Sequence, residues 1–461
     1  TITAETDGSE RLRIKSDGNV DIGGGTHSRN LTVHSATNCV ILIEGNSDAT
    51  SNLMFGDQND EDVGMIQYNH ADNDLAFTVN ASERLTINSS GNSQFTGIVT
   101  ATEFVPTVAA LANRNKVING GMVISQRNGT SSVQLSASEQ YMVDRFKNDT
   151  GSSFDMKADA TQVTDHPIGF AKALKLQCDG VSTPSGSHNG GLSTFLEGQD
   201  VQDFGFGTSG AKPVTVSFYA KTATQNSGDT YGLMVGFYGE NNGRQRQTRS
   251  FTVTDAWQRF EFTLEPNGTA QSDPIVNTNA HGFQIFWSLA AGSTDAVAEE
   301  TTWNNTSSLV GVSGQSNFFD QVNNQFFLTG VQLEIGNKAT PFEHRSFEHD
   351  MIKCMRYCQK IFNAQLIGTM NTSSRMRIMA NFTVPMRGTP SYTRTSNSLS
   401  FQIAASNETS SNTTEAQGGN TATADGNSYA RTWDFGGFSS LADRTFIGGN
   451  GAHVFTLDAE L

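Results

Sequence analysis

The sequence predicts a mainly β fold, and three observations point to it. Apolar and polar residues alternate over short runs such as Val214-Thr215-Val216-Ser217-Phe218 and Phe260-Glu261-Phe262-Thr263-Leu264, the period of a strand with one buried and one wet face. Between the runs lie stretches of Asn, Ser, Thr and Gly, the residues of tight turns; the 461 residues include 45 Gly and only 9 Pro. Charged residues make up 16% of the chain against about 25% in an average globular protein, so the Glu- and Lys-rich surface of a helical protein is missing. With 36% apolar residues besides Gly, a packed core can still be built. Acids outnumber bases by 46 to 30, a net charge of −16. No basic stripe tracks a phosphate backbone, which argues against nucleic acid as a partner. No apolar run approaches the ~18 residues of a membrane-spanning helix, so membrane insertion is not expected. No basic-then-apolar leader opens the chain, and Thr1 in place of Met reads as a trimmed or partial chain.

Residues 1–105 read as a β-repeat segment that serves as shaft or attachment piece. Glu10-Arg11-Leu12-Arg13-Ile14-Lys15-Ser16-Asp17-Gly18-Asn19 returns at Glu83-Arg84-Leu85-Thr86-Ile87-Asn88-Ser89-Ser90-Gly91-Asn92, an offset of 73 residues with seven of ten positions identical. Each copy predicts one hairpin, with Leu12 and Ile14, or Leu85 and Ile87, on the apolar face and Gly-Asn in the turn. Further alternating runs fall at 30–34, 63–68 and 75–79. Strands this short make a thin core, and a unit that cannot bury its own apolar face stacks on neighbours or on copies of itself. The segment also carries 15 acids and 5 bases, a net −10.

Residues 106–114 read as a linker, and residues 115–345 as a single β-sandwich, with strands at 214–220, 257–264, 283–287 and 326–335. From 346 to 362, Met351, Met355, Cys358 and Phe362 recur at spacings of 4, 3 and 4, an apolar seam that predicts a helix. That seam either covers a sheet or meets two copies of itself on a symmetry axis as a trimer joint. Cys354 and Cys358 then sit one turn apart. Together with Cys39 and Cys178 they are too scattered for a disulfide framework, and buried free thiols are expected. Residues 363–461 read as a third, β-rich unit with strands at 378–382, 399–403 and 453–457 and long polar loops.

Several of these motifs resemble bacteriophage tail fibres. Phe55-Gly56-Asp57, Gly64-Met65-Ile66-Gln67-Tyr68-Asn69-His70, Ser82-Glu83-Arg84-Leu85 and Phe95-Thr96-Gly97-Ile98-Val99-Thr100-Ala101-Thr102 resemble repeat segments of marine and cyanobacterial phage tail proteins. Asn115-Lys116-Val117-Ile118-Asn119-Gly120-Gly121-Met122, Gln126-Arg127 and Tyr141-Met142-Val143-Asp144-Arg145-Phe146 open the second unit. Leu328-Thr329-Gly330-Val331-Gln332-Leu333-Glu334-Ile335-Gly336 and Ala339-Thr340-Pro341-Phe342-Glu343-His344-Arg345 close it. This unit is similar to a module common in phage fibres, itself like the jelly-roll carbohydrate-binding modules attached to glycosidases. The resemblances cover most of residues 1–362. They imply an elongated homotrimeric fibre with N-terminal β repeats, a central jelly-roll β-sandwich, one helix and a C-terminal β-rich tip. Many modules of this type hold a structural calcium through an acid on the closing strand. Thr329 and Gly330 stand about there in this chain, and no metal or other cofactor is expected.

Catalytic chemistry is not found. The acidic stretches 57–62 and 72–74 lie in turn-like sequence. Gly23-Gly24-Gly25 lacks the Lys-Ser/Thr of a phosphate loop, and neither a Gly-x-Ser-x-Gly elbow nor a His-Glu-x-x-His motif occurs. Glu343, His344, Glu348 and His349 cluster where the helix starts, a place where carboxylates suit the helix dipole. Binding chemistry is better represented. Sugars stack their C–H faces on aromatic rings and bond their hydroxyls to planar amide, carboxylate or guanidinium groups. The candidates for glycan contact are Trp303, in a loop-like stretch, Tyr238, Arg244 and Arg246 in the second unit, and Tyr429, Arg431 and Trp433 among the Gly, Asn and Ser of the third.

The expected protein is therefore a virion tail fibre, not an enzyme. It adheres to host surface polysaccharide or lipopolysaccharide without a covalent step, and its N-terminal segment meets other tail or baseplate proteins. Two alternatives stay open. One is a tail-associated polysaccharide depolymerase, which needs two carboxylates about 5 to 9.5 Å apart; the other is a structural capsid or baseplate decoration protein.

Overall fold

The computed structural model describes residues 2–6, 9–16, 20–22, 31–33, 37–38, 40–57, 59–60, 62–99, 112–241, 243–266, 273–306, 309–362, 367–372, 375–394, 399–403, 406–410, 415–416, 420–422, 428–436, 445–446 and 454–460. The chain divides into two compact units, Thr1–Val105 and Pro106–Leu461.

The first unit holds two sheets. Strands β1 (Ile2–Thr6), β2 (Ser9–Ile14), β3 (Val20–Ile22) and β4 (Leu31–Val33) form one in that order. Strands β5 (Thr50–Phe55), β6 (Gly64–Asn69), β7 (Asp74–Val79), β8 (Ser82–Ile87) and β9 (Ser93–Phe95) form an antiparallel meander. The repeat is structural, strand for strand. Ile2 faces Ile14 as Leu75 faces Ile87, and Leu12 faces Ile22 as Leu85 faces Phe95. Even the register shift after Ala4 returns after Phe77. Across the meander, Leu53, Ile66, Phe77, Leu85 and Phe95 stand side by side in register. This apolar row is not covered: Leu53 is 48% and Phe95 52% exposed, and Ala76 is the one buried apolar residue among the described residues of this unit.

The second unit is built on a jelly-roll β-sandwich. Its strands are β10 (Val133–Gln134), β11 (Tyr141–Val143), β12 (Phe146–Gly151), β13 (Ala158–Val163), β14 (Ala173–Cys178), β15 (Asn189–Glu197), β16 (Val214–Thr222), β17 (Asp229–Tyr238), β18 (Arg244–Val253), β19 (Gln258–Leu264), β20 (His281–Ala291), β21 (Ala296–Val297), β22 (Gly311–Val312) and β23 (Gln325–Ile335). Two six-stranded sheets, ordered β10-β13-β14-β23-β16-β19 and β11-β12-β15-β20-β17-β18, face each other. Alternation does the sorting: Leu233, Val235 and Phe237 of β17 and Phe283, Ile285 and Trp287 of β20 all enter the core. Trp287 packs against Phe146 and Phe218 at ring-centroid distances of 6.2 and 5.5 Å. On the closing strand β23, Thr329 donates to the Lys172 carbonyl (2.8 Å). Gly330 has a φ of 63°, and a Cβ there would lie 2.7 Å from the Phe170 ring, so the residue after Thr329 has no room for any side chain.

The helix is shorter than the seam suggested. α1 runs over Phe347–Met355, capped by Ser346, whose hydroxyl accepts the His349 amide (3.2 Å). Tyr357 then drops into the interior beneath the Arg145 guanidinium, 3.5 Å from its ring centroid, and the chain leaves as strand β24 (Cys358–Phe362). Cys358 and Phe362 thus lie on a strand and not on the expected helix, because a spacing of four residues fits either period. Cys178, Cys354 and Cys358 are buried free thiols; Cys39 lies outside the described residues. Strand β24 pairs with Val454–Asp458, which pairs with Ser391–Arg394, so the boundary expected at residue 363 runs through a three-stranded sheet. The strap beyond it is held by charge. Arg127 donates to Asp458 (2.9 Å) and Glu460 (3.2 Å), Arg145 pairs with Glu460, and Arg387 Nε donates to the Ala459 carbonyl (2.7 Å).

Candidate functional site

On the sheet β11-β12-β15-β20-β17-β18, the residues that alternate with the core set turn to the opposite face. Strand pairing places Asp149 of β12 beside Gly191, Ser193 of β15 beside Phe286 of β20, Phe286 beside Met234 of β17, and Gly236 beside Arg246 of β18. Met234 and Phe286 form a second apolar cluster with Val310, separate from the main core. Val310 reaches them from the segment after β20, which folds back over this face; Gly311 stands within 3.4 Å of the Cβ position of Gly232, so a side chain there would push the segment away.

What remains open is a cleft of about 400 Å³. Its floor is Phe286 and Met234, one wall is Arg244 and Arg246, and the other runs from Asp149 to Asn189 and Asp295. The polar groups are wired to one another. Gln284 donates to Asp149 (2.9 Å) and Ser193 (3.3 Å), and its carbonyl oxygen accepts from Arg244 and from the Tyr238 hydroxyl (3.3 Å). Asn189 donates to Asp295 (2.5 Å). Rotamers locked in this way hold planar amide, carboxylate and guanidinium groups in fixed directions around the cleft, over a base in which Phe286 and Met234 are themselves buried.

Burial tunes the charges. It pushes the Asp149 carboxyl above the usual carboxylate range, helped by nearby Glu139, and it raises Asp295 as well. Burial, and then the neighbouring Arg244, bring Arg246 down to about 10. Arg246 donates to the Thr306 carbonyl (2.6 Å), while among the described residues its Nε has no partner.

Of the residues singled out in the sequence, Arg244, Arg246 and Tyr238 come together here. Trp303 does not. The segment carrying it pairs its backbone with β18 through Asn304 and Arg246, and this tucks the indole into the core, 5.0 Å from the Phe237 ring and 5.2 Å from Phe206. Its Nε1 donates to the Glu265 carbonyl (2.8 Å), so the ring plugs the sandwich and cannot serve as a ligand platform. Tyr429, Arg431 and Trp433 lie on the strand Ser428–Gly436, where Arg431 pairs with Ala380 and Trp433 with Ile378 of Arg375–Met386. They belong to a hydrogen-bonded strand, not a loop, and their side chains fall outside the description. Asp149, Asn189, Gln284, Phe286 and Asp295 escaped the sequence reading. Gln284 alone left a signal, an amide between Phe283 and Ile285 in an otherwise apolar run. Among the described residues, no group of His, Cys, Asp and Glu could hold a metal ion.

No protein-family model matches the chain, and no curated protein matches it. Among solved structures, the chain is similar to the family 11 carbohydrate-binding module of cellulosomal cellulase Lic26A-Cel5E of Clostridium thermocellum, at 11% identity and a TM-score of 0.24 over 46% of this chain and 100% of that one. It is also similar to TmCBM61 in complex with β-1,4-galactotriose (12%, TM-score 0.24, 49% and 100%). A third is the CBM22-1 xylan-binding domain from Paenibacillus barcinonensis Xyn10C (12%, TM-score 0.23, 46% and 99%). Likeness at this level leaves the function to be argued from the chain's own residues.

Proposed function

We propose that this protein is a tail-fibre adhesin that holds surface polysaccharide without a covalent step in the cleft over Phe286. The observation that carries this reading is the wired set Arg244, Gln284 and Asp149 in one cleft: planar, directional partners for sugar hydroxyls. The phage-fibre motifs in residues 1–146 support a place on a virion tail, with the N-terminal unit meeting other tail or baseplate proteins. The uncovered apolar row of that unit supports assembly with copies of itself, as a homotrimer in which weak contacts at three equivalent sites add up by avidity.

The test is glycan profiling with the full chain and with Ser187→Trp. Ser187 is an exposed residue on the cleft rim, so the indole obstructs the mouth without entering the core. Loss of glycan retention at an unchanged melting temperature is expected; retention undiminished by the plug places recognition elsewhere. Deleting residues 363–461 is a poorer test, because it strips Glu460 from buried Arg145 and Arg127.

A second reading, a polysaccharide depolymerase, draws on Asp149 and Asp295 lining one cleft with raised pKa values, the setting of a general acid. New reducing ends from host polysaccharide would favour it.

A further inference from the structure

Two guanidinium groups stand together on one wall of the cleft. Arg244 and Arg246 are two residues apart on β18 and so share a face. Among the described residues neither forms an ion pair. Arg244 spends its donors on the neutral oxygens of Gln284 and Tyr238, and Arg246 on one main-chain carbonyl. Both carboxylates that line the cleft are engaged by amides, Asp149 by Gln284 and Asp295 by Asn189. Arg246 is nevertheless only 7% exposed and leaves its Nε without an acceptor among the described residues. Asp295 lends Arg246 some opposite charge but is held by Asn189 and forms no ion pair with it; a buried guanidinium with an unfilled donor is costly. Its preferred partner is a planar anion that can take two parallel N–H bonds.

Building on the glycan reading of this cleft, we propose that the arginine pair makes the site selective for an acidic sugar, with the ring carboxylate of a uronic-acid-type residue seated on Arg246 and Arg244. The carboxylate completes the unfilled Nε of Arg246 and offsets the repulsion between the two guanidinium groups. A neutral hexose offers a hydroxymethyl group there, which brings no charge.

The test uses the full chain and three probes of equal length: oligogalacturonate, a neutral galacto-oligosaccharide and a sulfated galacto-oligosaccharide, each titrated calorimetrically. Oligogalacturonate is expected to bind about tenfold or more tightly than the neutral sugar, the worth of a charge-assisted pair over a neutral hydrogen bond. Arg246→Gln is expected to remove that preference, bringing the affinities for the acidic and the neutral probe together. Because Arg246 is buried, Arg244→Gln serves as a second variant and is expected to narrow the same ratio. Equal affinity for neutral and acidic probes overturns the acidic selectivity while the glycan reading stands. Preference for the sulfated probe overturns the carboxylate assignment. Failure of all three to bind overturns the proposal together with the reading it rests on.

Discussion

At the residue scale, burial has turned ordinary polar side chains into chemically distinct ones. Asp149 faces Glu139, Lys147 and Arg244, and Asp295 faces Arg246 and Asn189; burial is the largest influence on both and holds each carboxyl above its usual range. A raised carboxylate pKa means that each gains its proton at a higher pH than a free side chain does. As pH falls through the raised pKa of these acids, negative charge leaves the cleft, whereas a sugar carboxyl with a pKa of about 3.5 stays ionised. Affinity for oligogalacturonate is therefore expected to rise on acidification, and calorimetric titrations at several pH values read it directly; a fall would contradict the opposition of these two acids to the ligand. The same shifts act on folding. The folded state holds these protons more tightly than the unfolded chain, so ionisation costs stability at neutral pH, and the cost is relieved as pH drops through the folded pKa. Glu343 runs the other way. Burial pulls its pKa up but is outweighed by the amides of Asn115 and Arg114, so it is depressed overall. Its contribution is present above the unfolded pKa and is lost as pH falls through the folded one.

At the element scale, the 73-residue repeat explains how little sequence a meander needs. The β7–β8 turn is a two-residue loop with both Asn80 and Ala81 at a φ of 52°, the primed geometry that matches the twist of a hairpin. Asn tolerates this conformation and Ala does not, at a cost of about 1 kcal/mol; the matching positions of the first copy are Asp7-Gly8. Ala81→Gly is expected to stabilise the N-terminal unit by about that amount, read as a higher urea midpoint with an unchanged slope. A lower midpoint would show that the methyl group of Ala81 matters more than its backbone. The short helix teaches the complementary point. Its predicted continuation through Cys358 stops where Tyr357 packs beneath Arg145, and Gln359 ties the new strand down by donating to the Val384 carbonyl (2.9 Å) and accepting the Thr383 amide (2.9 Å).

At the whole-molecule scale, the two units differ in how they are stabilised. The sandwich closes over an aromatic core and is strapped by residues 454–460, whereas the meander leaves Leu53 and Phe95 exposed and the residues between them half-buried. An exposed apolar face of this kind signals a partner surface. In the trimer proposed above, that face is where copies meet, so Leu53→Glu combined with Phe95→Glu is expected to lower the mass seen by light scattering to that of one chain. An oligomer that survives both substitutions would assign assembly to another surface.

Sequence alone was enough for the β class, the strands at 214–220, 257–264, 283–287 and 326–335, and the repeat. These depend on alternation and turn residues, which are local. It also picked out Arg244, Arg246 and Tyr238, because clustered basic and aromatic residues stand out in a chain poor in charge. What only the tertiary structure decided was which of them share a site. Asp149, Asn189, Gln284 and Asp295 come from separate strands and a turn up to 146 residues apart, and only sheet pairing brings them round one floor. The same folding removed Trp303, whose loop-like sequence gave no hint that its backbone would bond to the edge of β18 and carry the indole inward. A residue's face on a strand is a local property. Its neighbour across the sheet is set by long-range pairing, and in this protein that pairing made the cleft.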